Sequence, residues 1–482
     1  MESDAFAGKT GLSAARLSRM HETLLRHVER GRLPGLVALI DRRGAEHVDV
    51  IGTLAFGRTA APMRRDTIFR LASVTKLITA VAAMILVEEC KLRLDDPVEE
   101  FLPELARRRV LRTIDSELDD TVPAKRPITV RDLLTFRSGY GEVAFLSPAC
   151  PLQKALVEAR LPLSTFTFPG TADEFMQTLG RLPLAHQPGE RWLYHMSAEI
   201  LGVLIARASG TTLSAFMRER IFEPLGMKDT GFTVSKTQLG RVATCYQTDF
   251  STGEVTVLEG APNEILTSPC TFESGAGDQL VSTADDMLAF GRMLLNRGAY
   301  RKERILSRLS VELMTTDQLS SEQKAASPFF ENFWDARGWG LGVSIVTRRD
   351  DVAGVPGRFG WDGAFIEPAS ASVEVGLTSP CGEGECAARR SQRPRTERSV
   401  PMQPLVAVRS WPGPDVRERQ LFGVSMRTTG FRRRDQRVRD LQSTHSGHLG
   451  GLSQRRRSSS SLAMNRRPAR PSITYCSTSP EK

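Results

Sequence analysis

The stretch Phe69–Glu88, "FRLASVTKLITAVAAMILVE", decides how this chain is read. A short extended run gives way to an apolar segment, and Ser73 and Lys76 stand three positions apart at the junction. Three residues turn about 300° around an α-helix, so both side chains project from the same side, one turn apart. Val74, Leu77, Ile78, Val81, Met84 and Ile85 supply an apolar stripe that sinks the helix into a core. An amine held beside a hydroxyl away from water is disfavoured as ammonium and can accept the serine proton. The stretch therefore points to acyl-enzyme chemistry at a helix start.

Spacing alone does not make the assignment, because S-x-x-K occurs three times, at Ser73–Lys76, Ser321–Lys324 and Ser479–Lys482. The second lies in the polar, loop-like "SSEQKAASP" and the third is the chain end. Only Ser73 opens an apolar helix.

An attacking hydroxyl also needs a proton shuttle and a place for the oxyanion. Of the five tyrosines, Tyr194 sits where a turn meets an apolar helix, in "HQPGERWLYHMSAEILGVLIARASG". A phenol there can face a cleft, and a nearby lysine would lower its pKa. Its neighbour His195 offers a Ser–His alternative, disfavoured because no G-x-S-x-G elbow exists and a lysine already stands beside the serine. For the oxyanion, "FGWDGAF" reads as a strand in which Trp361 and Gly363 share one face, with Asp362 and Ala364 on the other. Trp361 would border the cleft, Gly363 would let a substrate lie against the strand, and the Ala364 and Ser73 N–H groups would form the hole.

Ser73-Val-Thr-Lys76, Tyr194-His-Met196 and Trp361-Asp-Gly363, in that order, resemble the serine β-lactamase and penicillin-binding fold. "DLLTFRSGYG", "EPLGMKDTGF" and "STADDMLAF" add to the likeness, which is nearest to the esterases often called family VIII carboxylesterases. The resemblance covers about Gly11 to Pro368. It implies a serine esterase of small acyl esters, with Ser73 as nucleophile and Lys76 and Tyr194 as relay, and no metal or organic cofactor. β-Lactam hydrolysis, D-amino-peptide hydrolysis and acyl transfer are alternatives within that fold, and a catalytically dead member is the alternative outside it. Two departures favour esters: the late strand carries Trp-Asp-Gly where β-lactamases carry K-T-G, and Met196 stands where they carry an asparagine. A thioether cannot supply the amide's hydrogen bonds.

Periodicity gives an α/β (α+β) arrangement, an antiparallel sheet flanked by helices with a mostly helical lobe, β-lactamase/transpeptidase-like. Helix 13–30 precedes strands Leu36–Asp41 and His47–Phe56; helices Val130–Phe136, Met196–Ser209 and Leu213–Ile221 follow; "WGLGVSIV" and "GRFGWDGAFIE" close the sheet.

The net charge of +9 is unevenly placed. Residues 369–482 hold 21 Lys+Arg against 9 Asp+Glu, leaving 44 against 47 in residues 1–368. That last quarter is rich in arginine, serine, proline and glycine and lacks sustained amphipathic periodicity, so it is expected as a low-order, disordered C-terminal tail. The expected hydrolase domain is 9–368. The switch falls inside what reads as a sheet rather than in a linker, which favours an out-of-frame message over a natural disordered arm. No nucleic-acid-binding pattern accompanies the charge. Seven scattered cysteines without zinc spacing read as reduced thiols. With neither a signal-like start nor a spanning apolar run, the expectation is a cytoplasmic protein acting on a small-molecule ester, off the membrane.

Overall fold

The computed structural model describes residues 12–42, 44–57, 59–162, 168–248, 255–259, 264–277, 279–350 and 354–363, together with the backbone of 371–378 and 405–410. Every described residue belongs to the unit Met1–Thr429.

Period-2 alternation builds the sheet's first hairpin. Strands β1 (Gly35–Arg42) and β2 (Ala45–Gly52) pair antiparallel, with Val37 opposite Val50 and Leu39 opposite Val48. Val37 and Leu39 enter the main core, while Leu36 and Ala38 join Ile51 on the other face. Helix α1 (Ala14–Glu29) covers that second face with Met20 and Leu24, and Gly31 at φ +66 lets the chain turn after it.

Five later strands complete one seven-stranded sheet: β3 (Arg337–Trp339), β4 (Ser344–Val346), β5 (Arg358–Gly363), β6 (Ala371–Thr378) and β7 (Leu405–Ser410). The order is β3-β4-β5-β6-β7-β1-β2, and every pairing is antiparallel. "WGLGVSIV", expected as one strand, instead ends β3, turns and starts β4. The reason is local: Gly342 has φ +73, and a side chain on Gly340 would fall 1.9 Å from the Met314 carbonyl oxygen.

Two strands lie beyond 368, the expected end of the hydrolase domain: β6, and β7, from the segment set aside as a tail, which pairs with both β6 and β1 and places Val408 opposite Val37. Through β7, backbone pairing thus joins the N-terminal hairpin to the later strands. The helix Ala284–Leu295 lies against β1, β6 and β7. The rest of 369–482 lies outside the described residues.

Between β2 and β3 runs the mostly helical lobe, centred on α2 (Thr75–Glu88) and α3 (Met196–Ser209). An apolar stripe was expected on α2, yet every residue from Thr75 to Leu86 is buried. Hydrophobic on all sides, it is the central helix rather than a surface one. Helix α3 packs on α2 and stops at Gly210, whose φ of +73 suits the left-handed cap. The helix expected over Leu213–Ile221 is regular only to Met217, then widens over Arg218–Phe222. Pro224 lacks the N–H that would close the next turn. Helix α4 (Ala284–Leu295) starts where Thr283 accepts the Asp286 N–H. Among the described residues, no single helix is long and apolar enough to cross a membrane.

Candidate active site

Ser73 lies in the tight turn Ala72–Val74 that leads into α2. The neighbouring Ala72 has φ +46, a left-handed conformation costing an alanine roughly 1–2 kcal/mol. Two glycines press on this turn. A Cβ on Gly277 would fall 2.0 Å from the Ala72 carbonyl oxygen, and one on Gly363 would fall 2.2 Å from that of Leu71. Both chains approach closer than any side chain permits.

The expected trio is assembled. Lys76 Nζ stands 2.8 Å from Ser73 Oγ, and Tyr194 Oη donates to the same oxygen at 2.8 Å. Lys76 is 2% exposed, although Ser73 itself is only partly covered. The amine also donates to the Ala276 carbonyl at 2.7 Å and lies 4.8 Å from the centre of the Tyr194 ring. Trp361, on β5, donates its indole N–H to Tyr194 Oη at 2.9 Å. A dry amine, a phenol and a serine oxygen thus share one hydrogen-bond network, able to pass a proton among themselves.

Electrostatics correct one expectation. Burial pushes the Tyr194 phenol upward, outweighing the hydrogen bonds to Ser73 and Trp361 that pull it down, while Glu142 and Asp362 reinforce the rise. The residue as a whole is half-buried, but its hydroxyl is held between Ser73 and the Trp361 indole, with Lys76 against the ring. It is a proton donor at rest, not a standing phenolate. His195 is buried, and desolvation, with the Lys76 charge second, holds its imidazole well below the usual range. It is therefore neutral.

Gly363 plays a different part from the one expected. It seats β5 against the nucleophile turn; the close neighbour is the Leu71 carbonyl, where a substrate was expected. Ala364 lies outside the described residues. Met196 is buried at the start of α3.

Sequence reading missed two parts of the site. One is the turn Ser274–Gly277, whose Ala276 carbonyl meets Lys76 from 200 positions away. A backbone acceptor leaves no side-chain signature, but four small residues in a row, "SGAG", mark a place where chains approach closely. The other is an aromatic wall. The Tyr194 ring packs on Trp192, Phe136, Phe329 and Trp361 at centroid distances of 5.4–6.1 Å. Phe329 in turn touches Phe145, Phe330 and Phe333.

A family model described as Beta-lactamase matches residues 20–375. The chain belongs to the Beta-lactamase family. Protein Rv1367c of Mycobacterium tuberculosis (strain ATCC 25618 / H37Rv) is 40% identical over 345 residues, covering 70% of this chain and 82% of that protein. Esterase EstB of Burkholderia gladioli is 29% identical over 408 residues, 80% of this chain and 95% of the esterase. The solved structure of EstCE1, "a hydrolase with promiscuous acyltransferase activity", superposes with a TM-score of 0.58 at 22% identity, covering 74% of this chain and 90% of that one. Fungal acyltransferases are also among the relatives. The Beta-lactamase fold seen here is thus that of a serine hydrolase family containing both esterases and acyltransferases.

Proposed function

We propose that this Beta-lactamase family member hydrolyses small acyl esters through an acyl-enzyme on Ser73. The observation that carries the reading is the placement of Lys76 Nζ and Tyr194 Oη each 2.8 Å from Ser73 Oγ. As Ser73 Oγ attacks the ester carbonyl, its proton passes to the Lys76 amine. The Ser73 N–H, at a helix start where amides lack a carbonyl four residues back, holds the oxyanion with the Ala364 N–H. Collapse expels the alcohol, which takes the Tyr194 proton, and Lys76 returns its own to the phenol. Water then attacks the acyl-enzyme; Tyr194 takes its proton while handing its own to Lys76, and Lys76 passes that proton to Ser73 Oγ as the acid leaves. The indole N–H of Trp361 steadies the phenolate formed in passing.

The aromatic wall beside Tyr194 favours an uncharged, apolar substrate. The buried Met196 offers no polar contact for a β-lactam side chain. EstB's name agrees with an ester substrate, and acyl transfer to an apolar alcohol uses the same acyl-enzyme.

The test is turnover of p-nitrophenyl acetate and butyrate by the wild type and Ser73→Ala. We expect the variant to lose at least roughly 10³-fold in kcat/KM. Equal rates in both would mean that Ser73 performs no chemistry, and nitrocefin turnover matching that of the esters would replace the ester reading with a β-lactam one.

A further inference from the structure

Glu199 is a fully buried carboxylic residue, one turn into α3 and five residues beyond Tyr194. Its Oε1 accepts the Ser274 hydroxyl at 2.8 Å. The Ser274 oxygen accepts two backbone donors, Ala276 N–H at 3.2 Å and Gly277 N–H at 3.0 Å. A serine hydroxyl has one proton to give and two lone pairs to offer, and here each has a partner. The hydroxyl can face both amides only while something takes its proton on the other side. Glu199 is that acceptor.

The turn so held is the one that grips the amine. Ala276 presents its carbonyl to Lys76 Nζ at 2.7 Å, and Gly275 presents its own to Thr79 Oγ1, also at 2.7 Å. Gly275 also lies so close to α3 that a Cβ would fall 2.3 Å from the Ala198 carbonyl oxygen. The turn is therefore wedged between α3 and the start of α2, with Gly277 against Ala72 at its far end. Committing one N–H to the Ala276 carbonyl restricts rotation about the last lysine bond and so fixes how the amine, which donates to Ser73 Oγ at 2.8 Å at rest, meets the oxygen whose proton it takes.

We propose that Glu199 and Ser274 are positioning residues that set the orientation of the Lys76 amine, and with it the rate of Ser73 acylation, without touching substrate. This rests on the ester-hydrolase reading for its kinetics but not for its geometry.

The experiment compares Ser274→Ala, Ser274→Cys and Glu199→Gln, with active sites counted by a fluorophosphonate probe. The thiol nearly keeps the shape of serine but accepts hydrogen bonds weakly. Both Ser274 variants should lose about tenfold or more in kcat for p-nitrophenyl butyrate with KM within about twofold, a split that loss of folded protein would not produce. Glu199→Gln keeps an acceptor oxygen and should stay within about threefold. A crystal structure of the cysteine variant should show the Ala276 carbonyl beyond hydrogen-bond distance of Lys76 Nζ. The proposal is overturned if the carbonyl stays in place there, if kcat is unchanged in the Ser274 variants, or if Glu199→Gln is as slow as they are. Should the wild type hydrolyse no ester at all, the hydrolase reading fails alone, because the carbonyl's displacement still decides this one.

Discussion

Ser73–Lys76 and Ser321–Lys324 carry one spacing, each at the start of a helix, yet their amines are bound by opposite chemistry. Lys76 is 2% exposed and gives its hydrogens to a serine oxygen and a neutral backbone carbonyl. Lys324, on the short helix Ser321–Ala325, sits against the Asp317 carboxylate. A carboxylate partner compensates a positive charge, whereas a neutral carbonyl in a dry place does not. Asp317 in turn accepts the Trp339 and Leu319 amides, so the second pair fastens a loop. The spacing sets where the two side chains point, and the amine's other partner sets what the pair can do.

The sharpest way to break that comparison is to remove each amine. Lys76→Ala should lower kcat/KM for p-nitrophenyl butyrate by roughly 10³-fold, the scale of losing a positioned base. Lys324→Ala should leave it within about twofold while costing about 1–3 kcal/mol of stability, since Asp317 loses its cation. Denaturant melts beside the kinetics read both. Comparable losses of activity from the two would refute the distinction.

A smaller effect should come from the glycine that seats β5 on the nucleophile turn. Gly363→Ala places a methyl 2.2 Å from the Leu71 carbonyl oxygen, so strand or turn must shift. We expect roughly a 10²-fold fall in kcat and a loss of about 1–3 kcal/mol in stability. Had Gly363 served to admit substrate, KM would rise while stability held.

These residues show how far the sequence could be read. The apolar run of α2, the bounds of α3 and the order Ser73, Lys76, Tyr194, Trp361 all follow from short-range pattern, and the structure brings those four together. What pattern cannot carry is the identity of a distant partner. The Ala276 carbonyl belongs to a backbone every residue shares. The direction of the Tyr194 shift depends on how tightly its hydroxyl is enclosed, which is a property of packing. Strand β7 was hidden for another reason: it is a run of four apolar residues in "LVAVRS", too short to show a period and set in an arginine-rich segment.

Next in size is a buried acid that, unlike Asp317, has no cation among its hydrogen-bond partners. Asp286, on α4, accepts the Asp229 N–H and the Thr230 hydroxyl, and burial pushes its pKa up to about 6 from 3.8. The native state therefore keeps a proton that the unfolded chain releases between about pH 4 and 6. The contribution is fully present below pH 4 and is lost as pH rises through 6. The shift corresponds to about 3 kcal/mol, of which Asp286→Asn should recover roughly 1–2 at pH 7, because an amide oxygen accepts both bonds less strongly. Urea melts from pH 4 to 8 should show stability falling between about pH 4 and 6 and levelling off above that in the wild type, with no such fall in the variant. An equal fall in both would assign the titration elsewhere.

The smallest effect tests the phenol's own partner, the counterpart of asking what else holds the amine. Trp361→Phe keeps a ring against Tyr194 but removes the N–H that reaches its oxygen. That N–H matters little while Tyr194 is a phenol, as burial makes it at rest, and more when it is briefly a phenolate. The loss should therefore be confined to the chemical steps: about five- to tenfold in kcat, close to one hydrogen bond to a developing charge, with KM nearly unchanged. If the indole serves mainly as a wall of the substrate site, phenylalanine will raise KM and leave kcat alone. Pre-steady-state bursts refine the outcome further. A burst that grows in the variant would place the phenolate's main duty in deacylation, where Tyr194 relays a proton from water. A burst that disappears would place it in the expulsion of the alcohol, where the phenol gives up its proton.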